Sequence, residues 1–236
     1  MKLRVRFSKF GPVKFIGHLD IMRFVQKAVK AAGIPVKYTE GYSPHQILSF
    51  AHPLGVGVES ESEYFDLEVT TLDGCEHFKE NLNRQMCEGM SILGVYLLPD
   101  DTKNAMASVK FASYRVELHH KDASDLLSDA VERFIASESV LSYKETKTGV
   151  QKRDLKEAVK EISYVKESNN GEKNAVIFTA DASSGGNLKP ATLMEALYRP
   201  FDITFNPWDY QIIRTEVYKE DLGGNPVPLS FGLEEL

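Results

Sequence analysis

The chain has 236 residues, 42% of them hydrophobic and 26% charged, with a net charge of -6. Thirteen Phe and ten Tyr supply the large apolar bodies of a packed core and exclude a disordered chain. No apolar run approaches the roughly 20 residues of a membrane helix. No apolar segment of the secretory kind follows the first six residues. A soluble, cytoplasmic protein with no membrane partner is therefore expected.

The charge is unevenly distributed. Residues 1–60 hold nine Lys and Arg against three acids, a net of +6, so the remainder carries -12. This excludes a uniformly basic nucleic-acid binder and leaves room for a local polyanion site in the first segment. The competing reading is that several of these lysines solvate the outer face of a helix.

In chain order, Leu3, Val5 and Phe7 alternate with Arg4, Arg6 and Ser8, which predicts a half-buried strand with both arginines on its other face. Gly11-Pro12 interrupts it. Residues 18–32 are predicted helical from Met22, Val25, Val29 and Ala32, with Arg23, Lys27 and Lys30 on other faces and Asp20 in the first turn. Gly33 and Pro35 are the stop signal. A short strand at 36–38, a loop at 41–45 and an irregular or edge strand at 47–58, broken by Pro53, Gly55 and Gly57, follow. A strand at 64–69 places Tyr64, Asp66 and Glu68 opposite Phe65, Leu67 and Val69. A helix at 75–89 and a strand at 92–98 complete the order β-α-β-β-α-β of a ferredoxin-like domain.

Residues 99–110 are polar and aperiodic, which predicts a linker. The same order then recurs: strand 112–118, helix 123–136, a strand at 141–148, a short helix or insertion from 154 into a strand at 162–165, a turn at 169–171, strand 175–180, a Pro-initiated helix at 190–197 and strand 210–218. The reading is an α+β fold of two tandem ferredoxin-like domains, 1–99 and 110–220, each an antiparallel sheet with helices on one face. A loose tail follows at 221–236. One continuous α+β domain is the alternative.

Sequence motifs for phosphate loops, dinucleotide folds, hydrolase elbows and zinc proteases do not occur. Cys75, His77 and Cys87 lack a second close ligand pair, so no metal is expected. Two cysteines cannot hold an iron–sulfur cluster alone, and no cofactor is expected.

Polar groups gather in the first third. His18, Asp20 and His45 are the catalytic candidates, since histidine exchanges protons near neutral pH. The plainer reading makes His18 and Asp20 helix-terminal groups and His45 part of a self-packed loop. Arg4 and Arg6, with Lys9, Lys14 and Arg23, are nucleic-acid candidates, because a ferredoxin-like sheet leaves one face free for phosphate contact. Tyr42 would add base stacking. Alternatively, Arg4 and Arg6 pair with acids such as Asp66 and Glu68 on an adjacent strand.

Taken together, Arg6-Phe7-Ser8-Lys9-Phe10-Gly11, Phe15-Ile16-Gly17-His18-Leu19-Asp20 with Arg23, Gly33-Ile34-Pro35, Tyr38-Thr39-Glu40-Gly41-Tyr42-Ser43-Pro44-His45 and Glu63-Tyr64-Phe65-Asp66 stand in an order that resembles the bacterial family of radical-SAM-linked proteins, a domain of unknown function. Gln151-Lys152-Arg153-Asp154-Leu155, Lys189-Pro190 and Ile213-Arg214-Thr215 are similar to its later, looser signatures. The resemblance implies a radical SAM protein as partner, with any radical chemistry supplied by that partner. It transfers no catalytic residue. The expected function is an accessory module that binds RNA or docks on such an enzyme. The alternatives are an RNA-processing or RNA-modifying enzyme, endoribonuclease-like or pseudouridine-synthase-like by analogy of fold alone, and a protein-only scaffold.

Overall fold

Period-two alternation at the amino end produces strand β1 (Lys2–Lys9), whose Leu3, Val5 and Phe7 are buried. The computed structural model describes residues 1–71, 77–119, 124–146, 149–166 and 173–236. It divides into two compact units, one of residues 1–110 with 216–236, the other of residues 111–215.

In the first unit a short 3-10 turn (Gly11–Phe15) leads from β1 into α1 (His18–Ala31). Ile21, Val25, Ala28 and Val29 form its buried stripe, while Arg23, Lys27 and Lys30 are exposed. The helix ends at Gly33, whose φ of +72° costs a glycine little. The Gly33 N–H bonds the Lys30 carbonyl and the Ile34 N–H reaches back to Val29, closing the helix end.

The irregular stretch that follows condenses into β2 (Leu48–Phe50) and two isolated bridges, Val36 with Val69 and Tyr38 with Gln46. Strand β3 (Glu59–Glu68) is longer than the pattern predicted and runs antiparallel to β1, with Arg4 opposite Asp66 and Arg6 opposite Tyr64. The helix predicted from residue 75 is α2 (Phe78–Asn83), and Cys75 lies outside the described residues. Strand β4 (Met90–Leu98) pairs antiparallel with the other edge of β1. Leu3, Val5, Phe65, Leu67, Ile92 and Val95 form one core with α1 and with Phe78 and Leu82 of α2.

Residues 99–110 do not behave as the expected linker. They contain α3 (Ala105–Ser108), started by the Asn104 side chain accepting from the Ala107 N–H, and Ala105 and Val109 are buried.

The second unit contains β5 (Phe111–Leu118), α4 (Ser124–Ala136), the hairpin of β6 (Leu141–Thr146) with β7 (Gly149–Asp154), α5 (Leu155–Ala158), β8 (Val159–Val165), β9 (Ala175–Asp181), α6 (Pro190–Tyr198) and the first part of β10 (Tyr210–Glu220). Strand β9 runs antiparallel between β5 and β8, and β10 flanks the other edge of β5. Strand β7 went unread because Val150-Gln151-Lys152-Arg153 has no apolar alternation. The turn predicted at 169–171 lies outside the described residues.

The chain then returns to the first unit with the remainder of β10. The tail is not loose. Strand β11 (Pro226–Pro228) pairs with β10, β12 (Glu234–Glu235) pairs with β4, and Leu229 is fully buried. Open strand edges and one apolar anchor fix a segment whose Gly and Pro content suggested otherwise. Each unit is thus a mixed α/β assembly with antiparallel strand pairing. Among the described residues no helix is long and apolar enough to cross a membrane.

Candidate functional site

Three groupings in the first unit hold the residues singled out above. The first is the polar face of β1, expected to be open. Arg4 is instead 0% exposed. Its guanidinium makes a fork to Asp66, at 2.8 Å from Nε to Oδ1 and 3.0 Å from Nη2 to Oδ2, and it donates to the carbonyls of Leu229 and Lys103 at 3.0 and 3.3 Å. Asp66 also accepts from the Ala105 N–H at 2.6 Å. The start of α3 and the carboxyl-terminal tail therefore close this face over the ion pair.

Arg6 is partly exposed but is also engaged. It donates to Ser62 Oγ at 2.9 Å and to Glu216 at 3.0 Å. Glu216 further accepts from Ser62 Oγ at 2.7 Å, Tyr64 Oη at 3.0 Å and the Val217 N–H at 2.8 Å. Burial, and then the Glu216 charge, push the Tyr64 phenol upward, so it remains a donor. Two residues expected to meet phosphate are thus bound into carboxylates. Asp66 was foreseen as a partner; Glu216, 210 residues away in sequence from Arg6, was not.

The second grouping surrounds His18. Strand parity, not nearness to Arg4, decides the fate of Lys9. It shares the odd-numbered face with Phe7, is buried, and donates to the Ile16 carbonyl at 3.0 Å. Glu63, opposite Phe7 in register, is buried on the same face. Lys9, His18, His52 and Glu63 line a cavity with Phe7 and Phe50. Its volume is about 10 Å³, the room one water needs. The His18 ring meets Phe50 edge-on at 5.2 Å. Its pKa is lowered, chiefly by burial; Glu63 opposes the shift and Lys9 adds to it. A neutral imidazole beside a buried ammonium and a buried carboxylate is equipped to accept or relay a proton.

The three catalytic candidates do not converge here. Asp20 is exposed and pairs with Arg23 at 3.2 Å. His45 is exposed on its own loop, with Nδ1 3.2 Å from Thr39 Oγ1. Lys14, expected on the phosphate surface, pairs with Glu59 at 3.2 Å. Parity identifies Lys9 and Glu63 in the sequence, whereas the Lys14–Glu59 pairing has no sequence signal.

The third grouping is an outward surface. Arg23, Lys27 and Lys30 are spaced four and three apart on α1, which makes one exposed stripe. The loop beside it is closed by the Thr39 N–H on the His45 carbonyl at 2.9 Å, and it presents Tyr42 fully to solvent with Tyr38 partly so. The Gln46 side chain ties this loop to α1 by donating to the Gln26 carbonyl at 3.0 Å. Of the predicted nucleic-acid residues, Arg23 and Tyr42 lie here. Among the described residues no group of three or more His, Cys, Asp or Glu is placed to hold a metal ion.

Residues 2–190 match the family described as "Uncharacterized protein conserved in bacteria (DUF2344)", and the chain belongs to that family. No curated protein matches it. Among solved structures it is similar to a chain of a Cbf5-Nop10-Gar1 complex, with 11% identity and a TM-score of 0.50 over 93% of this chain and 50% of that one. A chain of the archaeal box H/ACA sRNP Nop10-Cbf5 complex matches at 11% identity and a TM-score of 0.41, over 92% of this chain and 49% of that one. The chain thus spans about half the length of these structures' chains. At such identity the first likeness concerns the fold alone.

Proposed function

We propose that the chain is an accessory module that binds RNA and docks on a radical SAM enzyme engaged in RNA or ribosome-related modification, and that it is built of two tandem ferredoxin-like units. In the first unit β1 lies between β4 and β3, and β2 pairs with β3; in the second, the β6–β7 hairpin aside, β5 lies between β10 and β9, and β8 pairs with β9, which supports that fold reading. The observation that carries RNA binding is the Arg23–Lys27–Lys30 stripe of α1, three exposed cations on the helix to which Gln46 ties the loop that presents Tyr38 and Tyr42 to solvent. The motif series of the first 70 residues supports the radical SAM partner, which would supply the chemistry.

Fluorescence anisotropy with tRNA and rRNA fragments tests this. The R23E/K27E/K30E variant should bind at least tenfold more weakly, with a shallower dependence of affinity on salt. Affinity no greater than that of an equally acidic control protein would overturn RNA binding. Co-purification tests the partner: recovery of a radical SAM protein supports docking, and recovery of neither it nor RNA counts against the whole reading.

The cluster of buried Lys9 and Glu63 with half-buried His18 favours a second reading, an RNA-processing or RNA-modifying enzyme in its own right. Cleavage and base-modification assays on the purified protein test it, with His18→Ala expected to abolish any activity found. Activity unchanged in that variant clears His18.

A further inference from the structure

The second unit contains a groove that neither the catalytic nor the nucleic-acid candidates touch. It lies between the β6–β7 hairpin and α6 and has a volume of about 620 Å³, within the range of small-ligand sites. Among the described residues its lining has three cations, Arg153, Lys189 and Arg199, against one carboxylate, Glu195. Hydroxyl and amide groups of Ser142, Ser184, Asn187 and Thr192 line it too, and Tyr143 adds an exposed ring.

The cations are held in different ways. Arg153 is fixed in the wall: it donates to the Gly186 carbonyl and pairs with Asp181 at 3.5 Å. A Cβ at Gly186 would run into the Asp181 carboxylate, which would then have to swing away from Arg153. Lys189 is exposed at the start of α6, which has no side-chain cap, so the positive end of the helix dipole faces the same place. Arg199 follows the last turn of α6 and is exposed, donating from Nη1 to the Leu141 carbonyl at 2.8 Å. Lys189 and Arg199 are ten residues apart, about 15 Å along a helix. That spread suits a ligand with more than one anionic group better than a single phosphate.

We propose that this groove binds a short stretch of single-stranded RNA, with Arg153, Lys189 and Arg199 on successive phosphates and Tyr143 stacked on a base. The proposal rests on the RNA-binding reading above but assigns it a second site in the other unit. Phosphodiester chemistry matches guanidinium forks and hydroxyl donors, and an exposed tyrosine is a sequence-tolerant platform for a base.

The test uses the full chain with a fluorescent RNA pentamer carrying 4-thiouridine, and AMP and ADP as competitors. The K189E/R199E variant should bind the pentamer at least tenfold more weakly and Tyr143→Ala at least fivefold. The crosslink should map to peptides of residues 141–143 or 184–199 and should be lost in K189E/R199E. Both variants alter exposed side chains, so melting temperatures near that of the wild type are expected. Pentamer binding lost in the α1 variant but intact in K189E/R199E overturns the groove and leaves the α1 reading standing. Binding of no RNA by the wild type overturns both. AMP or ADP competing as strongly as unlabelled pentamer makes the groove a nucleotide site and overturns the single-strand assignment.

Discussion

The polar face of β1 and the outer face of α1 share the cations that make the first 60 residues basic, yet the two faces have opposite fates. On β1, Arg4 is sealed beneath α3 and the tail with its charge spent on Asp66, and Arg6 is drawn into Glu216. On α1, Arg23, Lys27 and Lys30 remain exposed, with only Arg23 in a solvent-facing pair. A segment's net charge therefore says little about which cations a partner can reach. A central strand is covered wherever another part of the chain supplies a second layer, whereas a surface helix always keeps one face in water.

The largest predicted effect belongs to the buried face. Arg4→Ala leaves the Asp66 carboxylate without its fork and should cost about 3–5 kcal/mol in urea unfolding. A loss below about 1 kcal/mol would show that the carboxylate finds water and that the face is more open than it looks. Next comes the lid. Leu229→Ala removes the anchor of the tail and should cost about 2–4 kcal/mol. It should also speed hydrogen exchange of the Leu236 N–H, which bonds the Val95 carbonyl at 2.9 Å. Exchange as slow as in the wild type would mean that the strand pairing alone holds the tail. On the other side of the contrast, the R23E/K27E/K30E variant should change stability by no more than about 0.5 kcal/mol. Its effect belongs to RNA binding, and a large stability loss would mean that the stripe has structural partners.

The same contrast explains what could be read from sequence. Alternation along residues 3–8 and 64–69 predicted both faces of β1 and β3, because strand parity is a local property. The α1 stripe and the Gly33 stop were legible for the same reason, with a period of 3.6 in place of two. What covers the second face was not legible. It depends on contacts between residues more than 200 apart, Arg4 with Leu229 and Arg6 with Glu216, and no local pattern records them. The tail was misread because Gly and Pro mark turns, and here the turns separate short strands that borrow hydrogen bonds from β4 and β10. Within the site, Lys9 was legible but misassigned: its odd number placed it with Phe7, and proximity to Arg4 and Arg6 obscured that. In the groove of the second unit, Arg153 is held by the Gly186 carbonyl and by Asp181, a meeting that sequence spacing alone does not disclose.

The smallest expected effect lies on neither of these faces, at His18, the first residue of α1, which lines the cavity on the odd-numbered side of β1. Burial lowers its pKa from the ordinary 6.5, with Glu63 opposing and Lys9 reinforcing the shift, and His52 lines the same cavity. The folded chain therefore takes up this proton less readily than the unfolded chain. Between 6.5 and the lowered value the unfolded state binds more protons, so stability rises with pH. The contribution is fully present above 6.5 and is lost as the pH falls through that window. His18→Gln should flatten this limb when urea midpoints are compared at several pH values on either side of 6.5. Glu63→Gln, which removes the opposing charge, should lower the His18 pKa further and extend the loss to more acidic pH, and NMR titration of the His18 ring would read that shift directly. If wild-type and His18→Gln midpoints fall in parallel as the pH drops, the cavity is wetter than its volume suggests, and the imidazole there is an ordinary solvated group with no special claim to proton transfer.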